Sequence, residues 1–445
     1  MLNRFFILVA IVYTPIAAGQ IIHESRKVTA ADGTIFDQFG YSVAVSNEFI
    51  FIGAVYDVNG GSSSGSVYQY DTVSGDLIRK LLPDDGVVGD DFGCSIAIWG
   101  DKVLIGAESD NVNGINSGSV YIYDIVTGDQ VMKLWPSDGA HHDRFGESVA
   151  VYDNTVIVGA DGDDDNGSNS GSAYLFDLTT GQELHKLVPT DGTFNDRFGI
   201  SVSVSSSTAL IGAYRDSGTQ TLSGSAYTFD IHTGQQLQKF LPDPESDTIH
   251  FGLSVAINDE VIVIGASNAD GTSDQGPGEA YVFGPSAGQP LLRLMPEDSA
   301  DNDAFGRALA LHDGAVVITS IGVNTTPSAY MFDVETGEQL AVFRASGDLV
   351  SNGFGNSVAI SNSWVCVGAP FDDENGQNSG STYQFATSST ECNADTNGDS
   401  TLTPADFSAW VAAFNALAPE CDQNDDGSCT PADFSAWVAN YNAGC

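Results

Sequence analysis

Residues 143–174 read DRFGESVAVYDNTVIVGADGDDDNGSNSGSAY. The stretch contains Phe145-Gly146, two short apolar runs separated by a polar turn, Gly159-Ala160, an acidic loop and a closing Ser-Gly-Ser-Ala-Tyr. Each apolar run predicts a strand, because it is short, rich in β-branched residues and bounded by turn residues. The same parts recur along most of the chain, so this stretch decides the fold.

The Phe-Gly pair occurs seven times, and four consecutive intervals are 53 residues long. Gly-Ala follows it in six copies, whereas the sixth copy has Thr319-Ser320. Every copy then has a tyrosine, with an aromatic residue two positions later. A fixed period of about 50 residues indicates a propeller or a solenoid. The phenylalanines are Phe39, Phe92, Phe145, Phe198, Phe251, Phe305 and Phe354, and the tyrosines are Tyr68, Tyr121, Tyr174, Tyr227, Tyr281, Tyr330 and Tyr383.

Four strand signals in each copy favour an all-β seven-bladed β-propeller with four antiparallel strands per blade. The seventh copy ends after its third strand, near Phe385, while residues Ile22 to Gly33 align with the fourth strand of the third copy around His185. We therefore expect the N-terminal strand to complete the last blade and to leave no open edge. The phenylalanine and tyrosine columns are expected to pack between adjacent blades.

The repeated Phe-Gly and Gly-Ala pairs resemble the FG-GAP repeat of the integrin α-subunit propeller and its bacterial relatives, over residues 20–387. The resemblance implies the propeller fold and suggests cell adhesion, although propellers carry many unrelated activities. Integrin-type repeats hold a calcium loop between the Phe-Gly strand and the Gly-Ala strand. Here that connection is only a few residues, such as Tyr152 to Asn154, which argues against calcium of the integrin kind.

Acidic residues instead follow Gly-Ala, in one column of five copies, and the third copy adds Asp161 and Asp165. Two interpretations stay open. The aspartates cap a tight loop through Asx-type hydrogen bonds, or they form a calcium or ligand rim on one face of the disc. The column members are Asp57, Asp110, Asp163, Asp216 and Asp372.

A second repeat, of 27 residues, lies in residues 388–445. Each copy has oxygen-bearing residues at positions 1, 3, 5, 7 and 12 of a loop, the spacing that wraps a chain around calcium. Apolar residues at i, i+3, i+4 and i+7 then predict a helix, over Phe407 to Phe414 and over Phe434 to Tyr441. The predicted calcium ligands are Asp395, Asn397, Asp399, Thr401 and Asp406 in the first loop and Asp422, Asn424, Asp426, Ser428 and Asp433 in the second.

This module resembles a type I dockerin domain of the bacterial variant that ends in Gly-Cys, here Gly444-Cys445. The resemblance implies calcium as cofactor and a cohesin-like protein or another surface anchor as partner. Ser400 replaces the glycine expected at loop position 6, which should weaken the first site. Pro404-Ala405 stands where cellulosomal dockerins show polar contact residues, so an anchor other than a conventional cohesin stays open.

The cysteines fall into two groups. Cys94 and Cys366 stand alone in strand-like runs, whereas four others lie in the C-terminal module. Export to an oxidising compartment favours disulfides among those four, with three pairings to choose from. We favour Cys392 with Cys445 and Cys421 with Cys429, while attachment through Cys445 is the alternative.

Composition and the first residues predict an exported protein. The 445 residues carry a formal net charge of −44, from 15 Lys+Arg against 59 Asp+Glu. This charge disfavours nucleic acid and fits calcium, basic partners or a solubility adaptation. Arg4, the apolar run from Phe5 to Ile16 and the small residues up to Gly19 predict a signal peptide over 1–19, too short to span a bilayer. We expect an extracellular protein, secreted or attached to a cell surface, without a transmembrane segment.

No nucleophile motif, zinc spacing or phosphate loop is visible. Three hypotheses follow: a non-catalytic propeller that binds a protein or glycan through loops on one face, an enzyme acting on polysaccharide, and a structural envelope protein. Polar residues that break the columns and converge at one channel mouth would favour the enzyme. Exposed aromatic residues such as Tyr56, Tyr214 and Phe371 would favour binding. The column-breaking candidates are His141, His142, Arg215, His250, Arg307 and His312.

Overall fold

The computed structural model describes residues 19–387 and 404–416, except 60–61, 218–222, 244–249, 268–275, 302, 323–325 and 347–351. The chain divides into two compact units, one over 17–385 and the other over 1–16 with 386–445. The first unit is a propeller of seven blades, each with four antiparallel strands as the sequence predicts, and one of the seven sheets has a fifth, parallel strand at its edge. Among the described residues, no helix is long and apolar enough to cross a membrane.

The strands are β1 (Gln20–His23), β2 (Arg26–Val28), β3 (Phe39–Val45), β4 (Phe49–Ala54), β5 (Val58–Asn59), β6 (Ser62–Ser63), β7 (Ser66–Asp71), β8 (Leu77–Leu81), β9 (Phe92–Trp99), β10 (Lys102–Ala107), β11 (Ser119–Asp124), β12 (Gln130–Leu134), β13 (Ser148–Tyr152), β14 (Thr155–Ala160), β15 (Ser172–Asp177), β16 (Glu183–Leu187), β17 (Phe198–Val204), β18 (Thr208–Ala213), β19 (Ser225–Asp230), β20 (Gln236–Phe240), β21 (Phe251–Ile257), β22 (Ile262–Ala266), β23 (Glu279–Phe283), β24 (Leu292–Leu294), β25 (Leu309–His312), β26 (Ala315–Ser320), β27 (Ser328–Asp333), β28 (Gln339–Arg344), β29 (Ser357–Ile360), β30 (Trp364–Ala369) and β31 (Ser381–Ala386). Blade 1 contains β3, β4, β7 and β8, blades 2 to 6 follow in groups of four from β9 to β28, and blade 7 contains β29, β30, β31 and β2. Strands β5 and β6 form a small separate hairpin.

The N-terminal segment closes the ring. Strand β2 pairs antiparallel with β31, with Arg26 opposite Gln384 and Val28 opposite Thr382, so the expected closure of the last blade is confirmed. The sequence did not predict the pairing of β1, which lies parallel to β28 at the outer edge of blade 6. The segment therefore covers the edge of one blade before it completes the next, and it joins blades 6 and 7.

Aromatic residues fill the space between blades. Phe145 is fully buried and packs edge-on against Tyr174 and Phe176, with ring centroids 5.5 and 5.6 Å apart. These rings share one apolar cluster with Leu104 and Ile122 of blade 2. The predicted packing of the phenylalanine and tyrosine columns between adjacent blades is therefore confirmed, and the burial of such large rings is a main source of the ring's stability.

Serine hydroxyls on the inner strands link each blade to the next. Ser95 donates to the Gly146 carbonyl at 2.7 Å, and Ser148 donates to that of Gly199 at 2.8 Å. A Cβ atom on Gly159 would stand 1.9 Å from the Gly199 oxygen and 2.4 Å from the Ser148 hydroxyl. Steric contact therefore explains the glycine of Gly-Ala. The equivalent links join Ser42 to Gly93, Ser201 to Gly252, Ser254 to Gly306 and Ser357 to Gly40.

Blade 6 makes the same link with exchanged residues. Ala308 stands in the serine column, and Thr319 stands in the glycine column. The Thr319 hydroxyl donates to the Gly355 carbonyl at 2.7 Å and accepts from the Ala308 amide at 3.1 Å. The missing serine side chain leaves room for the threonine. The break in the Gly-Ala column is thus a paired exchange that preserves the contact between blades 6 and 7.

The described part of the second unit includes one helix, α1 (Pro404–Ala416). It confirms the helix predicted after the first acidic loop. Within it the Trp410 ring stacks on Phe407 and is tilted against Phe414, with centroids 6.3 and 5.3 Å apart. Several predictions lie outside the described residues: the second helix, the two calcium-binding loops with the side chain of Asp406, the disulfides of the four C-terminal cysteines and the signal peptide up to residue 18. The dockerin-like module therefore stays a prediction.

Candidate functional site

The aspartate that follows Gly-Ala is bound by side chains of its own blade. Asp163 is buried, and its carboxylate accepts from the Tyr174 hydroxyl at 2.9 Å and lies 2.9 Å from the Lys186 ammonium. Tyr174 lies on β15 and Lys186 on β16, so the loop is fixed to the two outer strands. The same triad occurs as Asp57, Tyr68 and Lys80, as Asp110, Tyr121 and Lys133, as Asp216, Tyr227 and Lys239, and as Asp372, Tyr383 and Lys27.

In blades 1 to 4 a second carboxylate joins each Asp-Tyr-Lys triad, and we call the resulting group of side chains a node. In blade 3, Asp138 accepts from Tyr174 at 3.0 Å and from Lys186 at 2.7 Å, and Asp165 lies 2.6 Å from Lys186. Burial opposes the lysine charge, but hydrogen bonds to these aspartates raise the pKa of Lys186 above its ordinary value. Burial likewise opposes the Asp138 charge, and the same hydrogen bonds hold its pKa below the ordinary value.

Blades 5 and 6 keep the node with other residues. In blade 5 Arg293 pairs with Glu279, which also accepts from the Tyr281 hydroxyl. In blade 6 Arg344 pairs with Asp298, which accepts from Tyr330. Every blade is therefore anchored by a cation on its outer strand, but the acidic residue that pairs with this cation occupies different sequence positions in different blades. This pattern supports a packing role for the aspartate column.

The calcium interpretation of the acidic loops stays untested. In the described part of the chain, no group of three or more His, Cys, Asp or Glu side chains is arranged to hold a metal ion. A lysine ammonium already lies beside each column aspartate, from Asp57 to Asp372.

Asp161 differs from the rest of the acidic loop because it faces a pair of arginines. It is 2% exposed, and its carboxylate lies 3.0 Å from the Arg197 guanidinium and 3.7 Å from that of Arg144. One of its oxygens, Oδ1, has no hydrogen-bond partner. Burial raises the pKa of Asp161, although the two arginines oppose the shift.

The two arginines belong to a column with strained backbone. The residue before Phe-Gly has a positive φ in all seven blades, for example 58° at Arg144 and 60° at His250. Glycine suits this region best, and another residue costs on the order of 1 kcal/mol or more. Only blade 7 has glycine there, and the other six blades have a residue with a side chain. The column is Gln38, Asp91, Arg144, Arg197, His250, Ala304 and Gly353.

A pair of carboxyl groups lies beside the arginines. Glu147 follows Phe145-Gly146 at the start of the inner strand, and Glu108 follows Gly106-Ala107 in blade 2. Burial, a hydrogen bond with Glu108 and the charges of Glu108 and Asp161 raise the pKa of Glu147 well above its ordinary value. Arg144 opposes this shift only in part. The environment of Glu147 therefore favours its protonated form.

A cavity of about 250 Å³ occupies the channel where the inner strands of blades 2 to 6 begin. Glu147 and Arg307 both line it, together with the apolar side chains of Ile200 and Leu253. Arg307 makes no hydrogen bond or ion pair with any residue that the structure describes. The cavity thus combines opposite charges with apolar walls.

An aromatic group extends the site across blade 4. The Tyr214 ring lies 5.2 Å from the His250 ring, edge to face, and the Arg215 guanidinium lies 5.2 Å from the Tyr214 ring centroid. Tyr214 also lies within electrostatic range of Arg144. These contacts define the channel-mouth cluster, which comprises Glu108, Arg144, Glu147, Asp161, Arg197, Tyr214, Arg215, His250 and Arg307.

The structure brings together some of the residues singled out from the sequence and separates others. Arg215, His250, Arg307 and Asp161 meet in the channel-mouth cluster. The other candidates lie elsewhere: His141 accepts from the Ile115 amide at 3.0 Å in an exposed loop beside His142, and His312 lies at the far end of its inner strand, 2.6 Å from Asn362.

Sequence reasoning missed Glu108, Arg144, Glu147 and Arg197. The signal that could have found them is the column itself. Glu147, for example, stands where other copies have tyrosine, cysteine, isoleucine, leucine, arginine or asparagine.

Exposed apolar side chains lie on loops of the same face. Phe194 is 69% exposed on the loop before blade 4, and Tyr56 and Phe371 are exposed on loops that follow Gly-Ala. Backbone hydrogen bonds tie the two kinds of loop together, as from Tyr56 to the Asp37 carbonyl and from Phe371 to that of Asn352. Other exposed members are Ile35, Phe36, Val87, Val88 and Ile115.

The FG-GAP repeat matches residues 23–70, 76–123, 129–176, 182–229, 235–283 and 338–385. The chain belongs to the FG-GAP repeat family. The matches leave out residues 284–337, which include Thr319, yet this segment forms part of the ring like the others. Each FG-GAP match begins near the outer strand of one blade and ends on the third strand of the next, an offset that requires the chain ends to meet in one blade.

Two further comparisons add little to the FG-GAP assignment. The crystal structure of the computationally designed Ika8 protein is similar with a TM-score of 0.47 and 17% identity, over 83% of this chain and 99% of that one. No curated protein matches the chain.

Proposed function

We propose that this protein is a secreted binding module whose propeller recognises a protein or glycan through the loops around the channel mouth. The observation that carries the proposal is that a charged cluster, in which Arg307 has no partner among the described residues, and exposed aromatic side chains lie on one face. Arg307 lines the cavity, while Phe194 and Tyr56 stand on the surrounding loops. Exposed apolar groups beside polar ones are typical of interaction surfaces.

The column of residues with positive φ that precede Phe-Gly supports the same proposal. A chain that needed only a tight turn before Phe-Gly could use glycine, as blade 7 does at Gly353. Blades 3 and 4 instead keep Arg144 and Arg197 there at a cost in backbone energy. Strained backbone of this kind occurs at binding and catalytic sites, where the side chain is needed more than the relaxed turn.

The second part of the proposal is attachment through residues 388–445. Its basis is the sequence: two loops with calcium-binding spacing and a Gly-Cys end. We propose that calcium folds this tail as a dockerin-like module, which binds a cohesin-like protein or another anchor on the cell surface. Recognition by the propeller and attachment by the tail are then separate activities of one extracellular chain.

The test is capture from envelope extracts of the native organism with the full chain and with a chain that lacks residues 388–445. Substitution of Phe194 and Tyr56 by serine should abolish capture of the propeller's partner, and deletion of the tail should abolish only attachment. Val126→Ser is the matched control, because Val126 is 71% exposed on an outer hairpin of the other face. Capture that resists both the face substitutions and the deletion contradicts the proposal and favours a structural envelope protein.

An enzyme acting on polysaccharide is the second candidate function. Glutamate, arginine and histidine residues that break their columns do meet at one channel mouth, and Glu147 has the raised pKa of a general acid. Incubation with envelope polysaccharides and measurement of newly formed reducing ends tests it. Release that Glu147→Gln abolishes would establish the enzyme, whereas an unchanged polymer would exclude it for those substrates.

A further inference from the structure

We propose that the channel mouth binds an acidic saccharide unit, with Arg307 binding the sugar carboxylate and the Glu147 carboxyl group bonding to its hydroxyls. The inference deepens the proposed function, on which it rests, because it names the chemical class of the ligand. Its basis is the distribution of the few basic residues, the absence of a carboxylate partner for two of them within the described part of the chain, and the mixture of groups in the cavity.

Basic residues are scarce, and their positions are informative. Of the 15 Lys+Arg in the chain, seven form the outer-strand column that anchors the blades. Four of the other eight, all arginines, lie in the channel-mouth cluster, within a protein of net charge −44. A concentration of guanidinium groups at one point of so acidic a surface favours an anionic ligand there. These four are Arg144, Arg197, Arg215 and Arg307.

The acids of the cluster do not neutralise these arginines completely. Asp161 binds Arg197 at 3.0 Å and is 3.7 Å from Arg144. Arg215 lies over the Tyr214 ring, and neither Arg215 nor Arg307 pairs with a carboxylate in the described residues. A guanidinium group presents a planar set of donors that fits a carboxylate with two parallel hydrogen bonds. A ligand carboxylate in the cavity would supply the ion-pair partner that Arg307 lacks among the described residues.

The acidic groups favour a sugar over an acidic peptide. An aspartate or glutamate side chain brings only negative charge, which Glu108, Glu147 and Asp161 would repel. A uronic acid carries one carboxylate and several hydroxyls, and the hydroxyls can donate to these carboxyl groups or accept from Glu147 when it is protonated. The raised pKa of Glu147 lowers the repulsion further, because its neutral form is favoured beside an anion.

The size and walls of the cavity agree with a single sugar ring. Its volume of about 250 Å³ is below the roughly 300–1,000 Å³ of pockets for drug-sized ligands. Ile200 and Leu253 supply apolar surface against which the C–H groups of a ring can pack, and the Tyr214 ring lies in the same cluster. The rest of a polysaccharide would then extend over the loops of this face.

The experiment is calorimetric titration of the intact protein with an oligogalacturonate, with the fully methyl-esterified oligomer as the neutral match. The acid should bind, and the ester should bind at least about tenfold more weakly, since a hydrogen-bonded charge is lost. Arg307→Gln should weaken the acid by a similar factor and leave the ester unchanged. Arg79→Gln is the control, because Arg79 lies on an outer strand and donates to the Val126 carbonyl at 2.8 Å.

Three results would overturn the inference: no binding of the acid, equal binding of acid and ester, or an Arg307→Gln protein that folds normally and binds the acid as before. Competition by poly-glutamate with the same dependence on Arg307 would identify an acidic peptide as the occupant and also overturn it. Capture of a partner that depends on Phe194 and Tyr56 while the oligogalacturonate fails to bind would refute the saccharide assignment alone and leave the proposed function standing.

Discussion

The exchange in blade 6 predicts a strong energetic coupling between Ala308 and Thr319. In six blades a serine hydroxyl reaches the Phe-Gly carbonyl of the next blade, and in blade 6 Thr319 makes this bond from the neighbouring strand, at 2.7 Å. The variants are Ala308→Ser, Thr319→Gly and the two together, which gives blade 6 the residues of the regular blades.

Each single change should destabilise the protein. Thr319→Gly removes the hydrogen bond to Gly355, at a cost of about 1–3 kcal/mol for the unpaired carbonyl, and places glycine in a strand, at about 0.5–1 kcal/mol. Ala308→Ser adds a hydroxyl where the threonine side chain already lies, since the equivalent serine oxygens stand 2.3 to 2.5 Å from the Cβ position of the Gly-Ala glycine. Such overpacking costs about 1–3 kcal/mol.

The double change should cost only about 1 kcal/mol, because a serine hydroxyl replaces the lost bond and the clash disappears, so the strand glycine is the only loss. Additive behaviour predicts a loss of about 3 kcal/mol or more. Urea unfolding of the four proteins measures the difference. If the double variant loses as much unfolding free energy as the two single variants together, the proposed exchange is refuted.

Three further predictions concern other parts of the chain. The folded-state pKa of Glu147 is raised, so the contribution of this residue to stability is present below the unfolded pKa of about 4.3 and is lost as pH rises through the folded value. Glu147→Gln should therefore leave the melting temperature unchanged near pH 4 and raise it relative to the native protein at pH 8. An equal difference in melting temperature at both pH values would contradict this. Deletion of residues 20–31 removes β1 and β2 and should lower the melting temperature and promote aggregation, because the edges of blades 6 and 7 become unpaired; an unchanged melting curve would argue against closure. Calcium should change the circular dichroism of the full chain, and Asp422→Ala with Asp433→Ala should reduce that change, whereas the same response in the variant would exclude these ligands.

The regular part of the fold could be predicted because it repeats. Phe145, Gly159 and Tyr174 each belong to a column, and a period of about 50 residues with four strand signals leaves few architectures. The sixth copy shows the limit of this reasoning. The sequence displays both the missing serine at Ala308 and the missing glycine at Thr319, but only the structure shows that they are adjacent and compensate each other.

The candidate site could be predicted only in part, because its members come from different copies. The sequence singles out Asp163 as part of an acidic column. The structure places it beside Lys186, a pairing that the loop sequence alone does not predict. Arg144 and Glu147 were not predicted as site residues, although each differs from the residues at the same position in most other copies. A break in a column marks a residue for inspection, and the structure then separates a packing exchange such as Thr319 from a candidate site residue such as Glu147.

The ring-closing pairing also constrains how the chain can fold. Arg26 and Gln384 are 358 residues apart in sequence, and β2 and β31 are made at the beginning and near the end of synthesis of the propeller. Blades 1 to 5 contain only local pairings and can form in order, but blade 7 stays incomplete until β31 has emerged. Strand β2 therefore has no partner until β31 has been made, and we expect this pairing of high sequence separation to form late. Loss of either end then has the same outcome, an open ring with an edge free to pair with another molecule.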